Sequence, residues 1–317
     1  MPVKHIYNQQ VMPANGNLLN LFSLFLHVVP KNLLSFCVGS VVRLRLPGAL
    51  GQALVRRFAG AFKLDLSEAE HPIAAYATIE DLFTRALKPG ARAPVGPVGS
   101  PADGMLARSA ACENGTALQC KGFEYSLKEL VFGPTEDPER DALELGWQQT
   151  VYLAPHNYHR VHAPFSGKVT AIRYLPGELW PVNVPFVLRI PRLFARNERL
   201  VFDVEPEFGG RAFVVMVGAL NVGRMVTPLL PGFVTNAAAR QTGSARAVVQ
   251  RFSPAKAVAI GDELGTFMLG STVVVVYDKT ALERIKLVPN EENRPILMGQ
   301  PLTVQEMNHD RAERASD

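Results

Sequence analysis

Apolar residues come first in three short runs, then at helical spacing, and finally in the clustered or alternating manner of strands. The first run, Leu18 to Val29 (LLNLFSLFLHVV), stops at Pro30, and the second, Leu33 to Val42, is closed by Arg43 and Arg45. The third, Leu50 to Phe62, sets Leu50, Leu54, Val55 and Phe58 at helical spacing among Arg56, Arg57 and Gly60. A helix that crosses a bilayer needs about 20 consecutive apolar residues. None of these runs reaches that length, so short basic helices lying in the plane of a membrane surface are expected. A cleaved signal peptide fits less well, because the apolar run after Lys4 starts late and no small-x-small cleavage site follows it. From Leu64 to Ala86 acids appear, with helical periodicity in Ile79, Leu82, Phe83 and Leu87. Thr78 is placed to cap that helix, with Asp81 as the acid of a capping box. Pro89 to Pro101, rich in proline and glycine, reads as a linker and a boundary.

Beyond it the pattern predicts strands. Thr150–Leu153, Lys168–Tyr174, Leu200–Val204, Ala212–Val217, Val248–Phe252 and Thr272–Tyr277 are short β-branched or aromatic runs separated by Gly, Pro or Asn. Ser126 to Val131 reads as a short helix, and the polar stretch Gln305 to Asp317 as a frayed end. There is no internal repeat and no low-complexity tract. The fold class expected is α+β: amphipathic N-terminal helices followed by a mostly β domain that carries the candidate chemistry.

Charge sharpens the reading of the head. The net charge of +4 is unevenly spread: no Asp or Glu precedes Asp65, while Lys4, Lys31, Arg43, Arg45, Arg56, Arg57 and Lys63 do. A basic head points to nucleic acid or to an anionic membrane surface. The residues between the charges are Leu, Phe and Val, with few polar groups to read bases, so the membrane is favoured and nucleic acid is not expected. Cys37, Cys112 and Cys120 form no C-x-x-C pair, which argues for a reducing compartment and against a disulfide framework or a cysteine zinc site. At 317 residues, 47% of them hydrophobic, the chain can bury a core in one large domain or two modest ones.

Three segments hold candidate chemistry. Pro101-Ala102-Asp103-Gly104 is, taken alone, most simply a turn, with Asp capping and Gly at positive φ. Tyr152 to Pro164 (YLAPHNYHRVHAP) gathers His156, His159 and His162, three of the seven histidines, beside Arg160. Histidine exchanges protons near neutrality. H-x-x-H pairs can also bind metal, but Pro155 and Pro164 bracket an irregular segment and no acid or cysteine lies nearby to complete a ligand set. Acid–base chemistry is therefore favoured and no metal is expected. In Phe267 to Tyr277 (FMLGSTVVVVY), Gly270 reads either as a turn before a strand or as a carbonyl open to attack by Ser271. A serine needs an adjacent base to become a nucleophile.

PADG, YHRVH and LGST, in this order and at these separations, resemble the phosphatidylserine decarboxylase family. Lys121-Gly122 with Tyr125-Ser126-Leu127, Pro176-Gly177-Glu178-Leu179 with Val182-Asn183, Leu193-Phe194-Ala195-Arg196-Asn197-Glu198-Arg199 and Gly299-Gln300-Pro301-Leu302 extend the likeness from about Leu64 to Leu302. The resemblance implies a triad of Asp103, His162 and Ser271: Asp103 orients His162, His162 deprotonates Ser271, and Ser271 attacks the Gly270 carbonyl. The chain is then cut between Gly270 and Ser271 into a β chain, 1–270, and an α chain, 271–317, and Ser271 becomes a covalent pyruvoyl cofactor. Phosphatidylserine in an anionic membrane would form a Schiff base with that group and lose carbon dioxide, giving phosphatidylethanolamine, with His159 protonating the carbanionic product. One departure is Asn157, where the family more often has an acid.

The same likeness implies a membrane-associating region over 1–64 and a catalytic decarboxylase domain over 65–317. It implies a peripheral enzyme on the cytoplasmic face of the cell membrane of a bacterial source, and a homodimer is typical of the proteins it resembles. Two other readings stand beside it. A serine hydrolase would use the same three side chains, but needs an oxyanion hole and usually a G-x-S-x-G elbow, and no glycine follows Ser271. A non-catalytic membrane module would leave the histidine cluster without a use.

Overall fold

Eight antiparallel strands form the main sheet of the computed structural model, which describes residues 24–120, 123–134, 138–220, 224–236, 246–268, 271–290 and 293–304. Lys4, the first half of the Leu18–Val29 run, Lys121, Gly122, Gly270 and the tail from Gln305 lie outside the described residues. In chain order the strands are β1 (Gly104–Ala111), β2 (Thr116–Cys120), β3 (Phe123–Ser126), β4 (Leu145–Leu153), β5 (Arg160–His162), β6 (Gly167–Leu175) and β7 (Arg199–Pro206). They continue with β8 (Ala212–Val217), β9 (Met225–Val226), β10 (Val248–Val258), β11 (Glu263–Phe267), β12 (Ser271–Asp278) and β13 (Arg294–Ile296). The main sheet runs β10-β6-β7-β8-β12-β4-β1-β13, and β5-β11-β9 form a smaller sheet. The α+β architecture is the one expected.

β12 lies between β8 and β4, pairing Val274 with Val215 on one side and Thr150 on the other. Every residue of this strand is buried, which is why it reads in sequence as an unbroken valine run rather than an alternating one. β8 is buried throughout in the same way. The six strand segments read from sequence all fall within strands of this sheet, although β4 and β10 extend well beyond them.

The head is built inside out. Helix α1 (Lys31–Val42) turns Lys31, Ser35 and Gly39 toward the body and leaves Leu33 and Val41 exposed. Lys31 Nζ sits 3.3 Å from the Glu178 carboxylate and 4.0 Å over the Trp180 ring, so the buried cation is paired. Helix α2 (Gly48–Ala61) buries Gly51, Val55 and Ala59 against Tyr76 and Leu82, but turns Leu50 and Leu54 outward. Nine of the fourteen large apolar side chains exposed among the described residues lie between Leu24 and Phe62, which makes this one surface rather than scatter. Among the described residues, no helix is long and apolar enough to cross a membrane.

The capping box is present: Thr78 Oγ1 accepts from Asp81 N at 3.0 Å and Asp81 accepts from Thr78 N at 3.1 Å, starting α3 (Ile79–Phe83). That helix is shorter than the periodicity predicts, because Leu87 is drawn into a bridge with Ala69. The Pro89–Pro101 stretch is not a free linker. Val95 N, Gly99 N and Ser100 N donate to Gly299, Pro164 and Gln300 carbonyls at 2.8–2.9 Å, and Val98 is fully buried. Partners about 65 to 200 positions away hold this segment in the body, and proline and glycine content does not report them.

Candidate active site

Three chain crossings bring the predicted residues to one end of the sheet. Asp103 immediately precedes β1, and Gly104 is needed there because a Cβ would stand 2.2 Å from the Tyr152 carbonyl oxygen of β4. Close approach of two strands, not a positive φ, is the reason for this glycine. Ser271 opens β12 opposite Leu153, and after Leu153 the chain turns through Asn157 to His159. Phe267 N donates to His159 O at 3.0 Å, so the segment leading to Ser271 starts from the backbone of His159. His162 pairs with Glu263 across β5 and β11, and its N–H donates to Pro101 O at 2.8 Å, two residues before Asp103.

The side chains are buried and their partners are specific. The Asp103 carboxylate receives Arg92 Nε at 3.0 Å and Nη2 at 2.7 Å, and Met298 N at 2.7 Å. No hydrogen bond joins it to His162 among the described residues. The Nδ1 of His162, where the triad reading puts the aspartate, faces the Gly261 carbonyl at 2.7 Å, and Nε2 faces Tyr158 Oη at 2.9 Å. A carbonyl can only accept, so Nδ1 carries the proton and Nε2 is left as an acceptor for the tyrosine hydroxyl. Burial pushes the His162 pKa down, against the Gly261 bond and the nearby Glu263 and Asp103 charges, which act to raise it. Burial holds Tyr158 protonated.

His159 is wholly buried against Phe83, with ring centroids 3.9 Å apart. Its Nδ1 donates to Asn157 O at 2.8 Å, and its Nε2 has no hydrogen-bond partner. Burial, aided by the Arg85 cation, pulls its pKa down to about 3, so Nε2 presents a bare lone pair. Ser271 Oγ and Thr272 Oγ1 are likewise buried without partners. Each such orphan costs about 1–3 kcal/mol relative to a satisfied group, and orphans gathered at one strand end call for a use.

The H-x-x-H pair does not share a helix face, because β5 begins between the two histidines and both Nδ1 atoms are spent on carbonyls. His156 is exposed. Arg160 pairs with Glu263 at 2.9 Å and donates to Thr84 O. Asn157 closes its own turn, Oδ1 accepting from Ala154 N at 2.8 Å, so its amide oxygen does there what a carboxylate oxygen would. Sequence reasoning missed Tyr158, although it lies inside YHRVH, and Arg92, which sits in the segment read as a linker.

Removing Arg92 leaves the buried Asp103 carboxylate with a single backbone donor. Arg92→Met is expected to lower stability by about 3 kcal/mol, the usual scale for breaking a buried ion pair from one side. Urea unfolding of the variant on a Ser271→Ala background, where any cutting is blocked, measures this. An unchanged midpoint would show that the pair does not hold the site.

A buried serine at a strand end, two neutral imidazoles and a clamped carboxylate define an enzyme, not a passive surface module. Residues 79–303 match the family model for phosphatidylserine decarboxylase. The phosphatidylserine decarboxylase proenzyme of Myxococcus xanthus (strain DK1622) is 39% identical over 261 residues, covering 81% of this chain and 89% of that protein. The proenzyme of Ectopseudomonas mendocina (strain ymp) is 40% identical over 263 residues, 81% of this chain and 89% of its own. That of Brevibacillus brevis (strain 47 / JCM 6285 / NBRC 100599) is 34% identical over 281 residues, 87% and 95%. The chain belongs to the phosphatidylserine decarboxylase family, and it is a decarboxylase.

Proposed function

We propose that this chain is a proenzyme that cuts itself between Gly270 and Ser271, turns Ser271 into a pyruvoyl group, and then converts phosphatidylserine to phosphatidylethanolamine and carbon dioxide. The observation that carries this is Ser271 Oγ, fully buried, without a partner, at the first position of a strand held on both sides.

In the first reaction Ser271 Oγ gives its proton to Nε2 of His162, which exchanges the Tyr158 hydroxyl for it, and attacks the Gly270 carbonyl carbon. The amide nitrogen leaves with a proton returned by His162, and an ester links Gly270 to the serine oxygen. Loss of the α proton of residue 271 expels the Gly270 carboxylate, and water then displaces the nitrogen as ammonia. Asp103 acts on this step through its charge: fixed by Arg92, it favours the imidazolium that His162 becomes.

The site fits the resulting group. Ser271 Oγ has no hydrogen bond to lose on conversion, and Leu153 and Val217 frame the strand start on either side. The pyruvoyl ketone supplies an electron sink for the amine-bearing carbon of the substrate. His159 Nε2, left without a partner, takes a proton from the substrate ammonium and returns one to the carbon that has lost carbon dioxide.

The head brings the active site to its lipid as a peripheral element on the cytoplasmic face of the cell membrane. Its outward Leu33, Val41, Leu50 and Leu54 enter the interface, and the exposed Arg45, Arg56 and Arg57 meet anionic headgroups. Changing these three arginines to Gln is expected to weaken binding to phosphatidylserine-containing vesicles about a hundredfold, at about 1 kcal/mol per charge. Neutral vesicles and self-cutting should be unaffected. Equal binding to both vesicle types by the parent chain would rule out this role for the head.

Intact mass under denaturing conditions, with phosphatidylethanolamine release from phosphatidylserine, tests the whole reading. Two chains are expected, the 271–317 chain lighter than its sequence by one ammonia. A single uncut chain in fresh active material would favour a serine hydrolase instead.

A further inference from the structure

Arg85 is a buried cation with no directly paired anion among the described residues; the Asp103 and Asp65 charges act on it only from beyond ion-pair distance. It is only 4% exposed, and no carboxylate lies within ion-pair distance of it among the described residues. Of its five N–H bonds, those of Nη2 face the His156 and Asn157 carbonyls at 3.3 and 3.4 Å, while Nε and Nη1 have no partner at all. A buried ion without a counter-ion is strongly destabilising. A side chain that only tied down the 156–157 loop would have no need of this charge.

Its position says what the charge is for. Asn157 O accepts from both Arg85 Nη2 and His159 Nδ1, which puts the guanidinium within about 6 Å of the imidazole. An anion held on Nε and Nη1 would sit on the guanidinium next to the loop that carries the histidine assigned above to the substrate carbon. The substrate in that reading carries two anions, a carboxylate and a phosphodiester. A cation paired with the carboxylate would stabilise the ground state of the very charge that must flow out of it, which opposes decarboxylation. The phosphodiester, three bonds from the α carbon, keeps its charge throughout. Ser271 and His159 are as deeply buried as Arg85, and the 156–157 loop links Arg85 to His159 directly.

We propose that Arg85 is the seat of the headgroup phosphodiester, holding the lipid by its phosphate so that the α carbon lies between residue 271 and His159. This rests on the proposed decarboxylase reading but is tested apart from it. Calorimetry on the uncut Ser271→Ala chain compares short-chain phosphatidylserine with an O-acylserine of matched length, which keeps the amine and carboxylate and lacks phosphate. Adding Arg85→Met is expected to weaken phosphatidylserine binding about tenfold to a hundredfold, the scale of charge-assisted hydrogen bonds, and to leave O-acylserine binding unchanged. Should that variant fail to fold, Arg85→Lys, which keeps a donor for the loop carbonyls, carries the same comparison with a smaller loss. In the cut enzyme the matching effect is a raised KM for phosphatidylserine with kcat less affected.

Equal loss for both ligands would assign Arg85 to the carboxylate or to the loop, and no loss would leave it structural; either overturns the proposal. Inorganic phosphate competing as well as the lipid would assign a free-phosphate site instead. Failure of the parent enzyme to decarboxylate sinks the functional reading without touching the binding comparison.

Discussion

Ser271→Ala is expected to yield one uncut chain of 317 residues with decarboxylase activity lost by at least about 10⁴-fold. Without the hydroxyl nothing can attack the Gly270 carbonyl, and no carbonyl group forms at position 271. The same variant should fold at least as well as its parent. Ser271 Oγ makes no hydrogen bond, so alanine removes an unsatisfied buried group and takes away nothing that holds β12. Relieving such an orphan is worth about 1 kcal/mol. Mass spectrometry and urea unfolding read the two halves of this result. A Ser271→Ala chain that still appears as two fragments would move the nucleophile elsewhere, and one that unfolds easily would mean that Oγ is structural.

The two histidines are expected to separate the two reactions. His162→Ala should stay uncut, because the proposed mechanism gives the serine proton to Nε2 of His162. His159→Ala should cut, and then turn over about 10² to 10⁴ times more slowly, the usual worth of a positioned acid–base group. Normal maturation of His162→Ala would refute the assignment of the base. Acid should also destabilise the folded chain in a set direction. Burial holds both imidazoles below the ordinary value, His159 at about 3, whereas an unfolded histidine titrates near 6.5. Between those values the unfolded chain binds more protons, so stability falls as pH drops from 6.5 toward 3. Urea midpoints of the Ser271→Ala chain at pH 7 and pH 5 measure the slope, which should shrink when His159 is also replaced.

How far sequence reaches can be judged from single elements. STVVVVY announces β12 because a strand covered on both faces must be apolar at every position. GMLARSAA hides β1, since alanine, serine and arginine carry little strand preference and the pairing with β4 and β13 decides the matter. In the head, spacing located α2, but Leu50 and Leu54 face outward and the buried stripe is Gly51, Val55 and Ala59. Spacing shows which residues share a face and says nothing of which solvent that face meets. At the site, the motifs pointed to Asp103, His159, His162 and Ser271, while the atoms that set their proton states come from far along the chain. The Gly261 carbonyl that fixes the His162 tautomer is 99 positions away, and Arg92 reaches Asp103 from a stretch whose composition suggests a tether.

β12 begins at Ser271 and is laddered to β4 from Ser271 to Asp278 and to β8 from Thr272 to Tyr277, while β13, on the same side of the proposed cut, closes the far edge of the sheet. A break before Ser271 therefore frees no domain. It turns one polypeptide into a split protein whose smaller piece supplies an interior strand to the larger. Unfolding then becomes a dissociation, so the melting temperature of the cut enzyme should fall on dilution while that of the uncut chain does not. Reassembly from denaturant becomes an encounter of two molecules, each exposing strand edges that readily pair with the wrong neighbour. If the proposed cut occurs, topology imposes its order: the sheet has to be complete before the peptide is opened.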